Sequence, residues 1–105
     1  MPADQPYPIV RASAPELRRM INEEKCWERA KSGTLRAVVI KERHPSPQPA
    51  SEPYCTRSQM VSYRDITGQE IVRVHQYLRP DGALGGSGKP DPKRFRHQGV
   101  VYLTG

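Results

Sequence analysis

The sequence predicts an α+β fold: one N-terminal helix packed on a four-stranded antiparallel sheet, with long Pro-rich and Gly-rich loops. Three observations carry this expectation. A capping box at Ser13 opens a helical stretch. Two strand-like runs, Arg57–Arg64 and Glu70–Leu78, flank a short turn containing Gly68, which is a hairpin signal. The helix precedes all the strands, an order that places it on one face of an antiparallel sheet.

The chain has 105 residues, enough for one domain with a modest core. Apolar residues make up 35% and charged residues 27%, and the apolar ones fall in periodic runs that disordered chains lack. Residues 1–12 read as an extended arm, because Pro2, Pro6 and Pro8 forbid a helix. Tyr7, Ile9 and Val10 on that arm could dock on a core or a partner. Residues 13–105 form the single domain.

The helix is predicted over residues 14–31. Ser13 and Glu16 can cap each other, Pro15 sits in the tolerant first turn, and Gly33 can take the left-handed stop conformation. Leu17, Met20, Ile21 and Trp27 share a face at helical spacing, but Glu24 and Glu28 fall on the same stripe while Cys26 points away. Either the helix bends near Asn22, or two carboxylates edge the buried face.

Residues 34–41, TLRAVVIK, form a strand apolar on both sides, which suggests a central position. Pro45, Pro47, Pro49 and Pro53 make residues 44–53 a loop. Arg57–Arg64 and Glu70–Leu78 are the next two strands, and Val100–Leu103 is the last. Within Glu70–Leu78, Val72, Val74 and Leu78 share one face, with Gln76 among them. Arg73, His75 and Tyr77 then stand in a row on the open face, about 7 Å apart.

The net charge of +6 favours an acidic partner, either nucleic acid or an acidic protein surface. No stretch approaches the ~20 apolar residues of a membrane span. Two cysteines, Cys26 and Cys55, make no disulfide framework, and the N-terminus does not read as a signal peptide. The expectation is a cytoplasmic protein with reduced thiols. No pair of Cys or His has the close spacing of a zinc finger, and no cofactor is implied.

The glycine loop fails as a phosphate loop. Gly88-Lys89 is followed by Pro90 where a Ser or Thr must bind magnesium, and Ala83 stands where the first Gly is needed. A weaker reading survives: the successive amides of Gly85, Gly86, Ser87 and Gly88 could cradle an anion beside Lys89. The basic exit, Lys93, Arg94 and Arg96 with Phe95 interleaved, suits phosphate contact plus one stacked base.

The leading expectation is a small non-enzymatic binding module using Arg73, His75, Tyr77, the glycine loop and the basic exit. A homodimer is expected, because two-fold dimers are the commonest closed assembly and the arm offers a further partner surface. The alternative is a metal-independent ribonuclease, with His75 as acid or base, Arg73 as the cation, and Glu24 or Glu28 as second carboxylate. One helix before a four-stranded sheet loosely resembles the ribonuclease-type toxin domains related to barnase and the ribosome-dependent toxins; the likeness is architectural and carries no residue over.

The segment Tyr77-Leu78-Arg79-Pro80-Asp81-Gly82, with Gly86-Ser87-Gly88-Lys89-Pro90-Asp91-Pro92-Lys93, resembles small uncharacterised bacterial proteins of mobile elements, including integron cassettes and phages. The resemblance implies a bacterial, stand-alone accessory protein and supplies no catalytic residue. The segment also has a structural logic: Pro80-Asp81-Gly82 can make a tight turn, Asp81 or Asp91 can accept loop amides, and the prolines stiffen the exit.

Overall fold

The computed structural model describes residues 8–43, 53, 55–85 and 88–104. The class is α+β, but the details differ from the expectation. In chain order the elements are β1 (Ile9–Arg11), α1 (Ala14–Glu23), α2 (Cys26–Lys31), β2 (Arg36–Arg43), β3 (Arg57–Arg64), β4 (Glu70–Leu78), β5 (Asp91–His97) and β6 (Val100–Leu103). Six strands form one sheet in the order β1-β6-β5-β4-β3-β2. It is mixed, not purely antiparallel, because β1 runs parallel to β6.

The single helix expected over residues 14–31 is two. The capping box forms as read, with the Ser13 hydroxyl accepting from the Glu16 amide and the Glu16 carboxylate accepting from the Ser13 amide. Those bonds hold the Glu16 carboxyl below its ordinary range. The break falls at Lys25, which adopts the left-handed conformation at φ 55°. Its cause lies in the stripe. Continuing the helix from Ile21 would carry Glu24, Lys25 and Glu28 into the core. One left-handed residue costs about 1–2 kcal/mol, whereas burying an unpaired carboxylate costs several. The turn rotates the second segment, so that Cys26 is buried and Glu24 and Glu28 are exposed.

The strand expected at the centre lies at the edge. β2 pairs only with β3, and Val39 and Ile40 are 50% and 39% exposed. α1 packs over β5, on the far side of the sheet's middle, and most of β2 is left exposed. A register shift between Val39 and Lys41 marks a bulge that interrupts this edge.

Two strands were absent from the expectation. The described part of the arm is β1, hydrogen-bonded along β6 from Pro8 to Ala12. This described part of the arm pairs within its own chain, while Ile9 and Val10 keep their side chains exposed. The basic exit is also a strand. β5 accommodates Pro92 because its register shifts there: Arg94 faces Arg73 and Pro92 faces Val74, leaving Lys93 as the extra residue. The Gln98-Gly99 pair turns β5 into β6 with both residues at positive φ, as tight hairpins require.

The core lies between the helices and one face of the sheet. Leu17 and Ile21 of α1 and Cys26 of α2 meet Val61, Val72, Val74 and Phe95, with Leu35 completing the cluster. Phe95 is 1% exposed, so it anchors β5 and does not stack on a ligand. One polar ladder enters this side. Gln76 donates to Gln59 at 2.8 Å, and Gln59 donates to Glu42 at 2.6 Å, which satisfies the buried Gln59 amide.

Replacing Lys25 with Gly should stabilise the fold by about 0.5–1 kcal/mol, because glycine takes a positive φ without the Cβ clash. Urea denaturation of K25G against the parent checks this; a loss of stability would mean that the left-handed turn is not strained.

Candidate functional site

The phase of β4 creates the site. Val72 and Val74 are fully buried under the helices. Alternation therefore sends Arg73, His75 and Tyr77 to the opposite face. The register aligns neighbours beside them. Met60 faces His75, Ser58 faces Tyr77 and Ser62 faces Arg73 from β3. Asp91 faces His75 and Arg94 faces Arg73 from β5. β2 adds Lys41 beside Met60 and Arg43 beside Ser58. Among the described residues, both helices lie on the other face.

His75 is the centre of the first cluster. Its Nε2 lies 2.8 Å from the Ser58 hydroxyl. Tyr77 meets the ring edge-on, with centroids 4.9 Å apart and planes at 89°. Burial pushes the imidazole below its ordinary value of 6.5, the Lys93 ammonium acts in the same direction, and Asp91 opposes both. The ring is therefore neutral at pH 7. Two cavities adjoin here and share Met60, His75 and Tyr77. One, of about 470 Å³, adds Lys89, Asp91 and Lys93. The other, of about 240 Å³, adds Lys41, Arg43 and Ser58. Lys93 is steadied by Asp91 at 2.8 Å. Each cavity thus has cations in its wall and the His75–Tyr77 pair at the shared boundary.

Arg73 belongs to a second cluster on the same face. A register shift between Tyr63 and Arg64 brings Glu70 opposite Arg64, on this side of the sheet. One Glu70 oxygen accepts from the Ser62 hydroxyl at 2.6 Å and from Arg73 Nε at 3.0 Å. The other lies 3.8 Å from Arg94 Nε. Arg64 Nε donates to the Ser62 hydroxyl at 3.1 Å. Two guanidinium groups flank the carboxylate directly and Arg64 reaches it through Ser62, so the cluster stays cationic while its side chains are held in place.

The remaining sequence candidates disperse. Glu24 and Glu28 lie with the helices, and the sheet separates them from His75. Glu24 instead sits 3.7 Å from His97 Nδ1, and His97 stacks on Phe95. The proposed convergence of His75, Arg73 and either glutamate is thereby corrected: helix packing on the valine face sets the carboxylates on the wrong side. The carboxylate opposite His75 is Asp91, and the one holding Arg73 is Glu70.

The basic exit is divided by strand alternation. Arg94 and Arg96 point to the helix-free face, and Lys93 joins them through the bulge. The amide nest is not formed by its described members. Gly85 donates to the Tyr77 carbonyl at 2.8 Å, and Gly88 donates to the Gly85 carbonyl at 3.0 Å. These donors are used within the chain. Gly86 and Ser87 lie outside the described residues. Asp81 accepts from the Ala83 amide at 2.9 Å, the turn role read from the sequence.

Ser58, Met60, Lys41, Arg43 and Glu70 were not singled out from the sequence, and Asp91 was read there as an acceptor of loop amides, not as a neighbour of His75. Ser58 and Met60 were within reach of it, since the β3–β4 hairpin fixes which residues face Tyr77 and His75. Among the described residues, no three His, Cys, Asp or Glu side chains gather as a metal ion would require. Cys26 and Cys55 are free thiols. No described helix is long and apolar enough to cross a membrane. Comparison with known protein families, curated proteins and solved structures finds no match.

His75 should titrate below 6.5 when followed by NMR of its ring protons. Its folded-state value lies below the unfolded one, so it contributes stability above pH 6.5 that is lost as pH falls through the folded value. His75→Gln should flatten that part of the stability–pH curve. A His75 titration at or above 6.5 would contradict the assigned environment.

Proposed function

We propose that this protein is a non-enzymatic binding module whose helix-free sheet face receives an extended single strand of nucleic acid. One observation carries the reading: Lys41 and Arg43 of β2, Lys93 of β5 and Lys89 line the cavities on either side of the His75–Tyr77 pair. Lys41, Arg43 and Lys93 are placed to meet successive phosphates. Tyr77 supplies a ring on which a base can stack without sequence preference. Arg73 and Arg94, clamped by Glu70, add fixed positive potential and lose little entropy on binding. The +6 charge attracts the strand from a distance. A small bacterial cytoplasmic protein of the kind the loop segment resembles fits this role.

The test is fluorescence anisotropy with labelled oligouridylate and oligothymidylate. The triple variant K41A/R43A/K93A should bind more weakly and lower the slope of log affinity against log salt by about two units. Tyr77→Ala should cost ~1–3 kcal/mol of binding. Affinity and salt slope unchanged in both variants would remove this face from the reading. An absence of saturable binding by the parent would redirect it to an acidic protein surface.

A second reading, a metal-independent ribonuclease, is favoured by the neutral imidazole held against Ser58 beside Lys93. Such an imidazole can take the proton of an RNA 2′-hydroxyl as its oxygen attacks phosphorus, while the P–O5′ bond breaks and the departing 5′-oxygen takes a proton from water. Lys93 would offset the charge that develops on the phosphate, with Asp91 replacing Glu24 or Glu28 as the nearby carboxylate. End-labelled RNA incubated in excess EDTA decides it. The enzyme reading expects products ending in 2′,3′-cyclic phosphate, lost in His75→Gln, with DNA of the same sequence intact. Cleavage that survives in His75→Gln, or no cleavage at all, ends it.

A further inference from the structure

The other side of the sheet holds a cavity of about 500 Å³ that the sheet-face reading does not use. It opens between the helices, β3, β4 and the chain entering β5. Ile21, Trp27, Tyr63, Leu84 and Pro92 give it apolar walls, and Arg18 and Lys89 are the charged residues lining it. Among the described residues, no carboxylate lines it. We infer that this cavity is a second binding site, for a small planar aromatic anion.

Four features support the inference. The volume falls within the ~300–1,000 Å³ of small-molecule sites. Trp27 and Tyr63 meet edge-to-face, with centroids 5.4 Å apart and planes at 80°. In such a pair the ring that offers its edge keeps its own faces available for stacking. Gln76, in the wall, is prearranged by its bond to Gln59, which Glu42 pins in turn. The charge is complementary to an anion: Arg18 reaches Asp91 only at 4.0 Å, and Lys93 already holds that carboxylate at 2.8 Å. Flat apolar walls take the ring, and the two cations take its acidic group. A nucleotide and an aromatic carboxylic acid share this chemistry. Gln76 and Lys89 also border the cavity beside His75, whereas Arg18 and Trp27 border this one and not that, so the indole signal and Arg18→Ala separate this inference from the nucleic-acid reading.

Trp27 is the sole tryptophan, and its indole N–H gives one distinct signal in a proton–nitrogen NMR spectrum. Titration with adenosine 5′-monophosphate and, separately, with 1-naphthoate should shift that signal saturably for at least one of them. The responding probe identifies the source of the anion. Arg18→Ala should weaken that probe at least about fivefold, while the uncharged counterpart, adenosine or 1-naphthamide, binds as before. The Arg18 side chain is 39% exposed, so this variant keeps the core intact, and an unchanged spectrum of the core amides verifies it. The inference is overturned if neither probe moves the indole signal, if shifts appear at His75 and Tyr77 instead, or if Arg18→Ala and Lys89→Ala together leave the affinity unchanged.

Discussion

Val72 and Val74 must be buried together, and that constraint positions the whole opposite face. A strand repeats every two residues, so a slip of one would expose both valines and bury Arg73 and His75. Each valine contributes about 1.5–3 kcal/mol on burial, and an uncompensated buried guanidinium would cost several more. Both penalties act in the same direction. The register is therefore held tightly, and the row Arg73, His75, Tyr77 is a consequence of packing on the far side of the sheet. Val61 and Phe95 repeat the logic on either side of β4, which brings Met60 and Arg94 into the same surface.

The helix break extends this separation of charge. With Lys25 in the left-handed conformation, the two helices fit one face of the sheet without burying Glu24 or Glu28. Those carboxylates remain on the helix side, where Glu24 meets His97. The other face keeps Arg64, Arg73, Arg94, Lys93, Lys41 and Arg43, opposed chiefly by Glu70 and Asp91. Glu70 and Asp91 orient cations at short range while leaving the surface positive. The protein thus has a cationic face and, behind it, an apolar cavity with a cationic lining.

Much of the frame was legible in the chain. β3, β4 and β6 begin and end where alternation and turn chemistry placed them, since Asp65 and Gly68 close the β3–β4 turn through local bonds alone. The Arg73–His75–Tyr77 row was legible for the same reason. β5 was not, because Pro92 and Asp91 argue against a strand, and only pairing with β4 shows that a bulge absorbs the proline. The alternation of Phe95 and His97 with Arg94 and Arg96, followed by Gln98-Gly99, was the signal available for it. β1 was obscured by the prolines that precede it and by its three-residue length.

Sequence by itself determined the capping box, the β3–β4 hairpin and its turn, the alternation of β4 and the excess of positive charge. Each depends on residues close in the chain, where backbone sterics and hydrogen bonding act without a distant partner. Tertiary structure alone decided that β2 lies at an edge, that β1 closes the other edge in parallel, that the helix must break, and that Asp91 and Glu70, not Glu24 or Glu28, accompany His75 and Arg73. Those outcomes depend on which surfaces the helices cover and which strands become neighbours. They are set by the packing of apolar faces across the whole chain, a quantity that no local window contains.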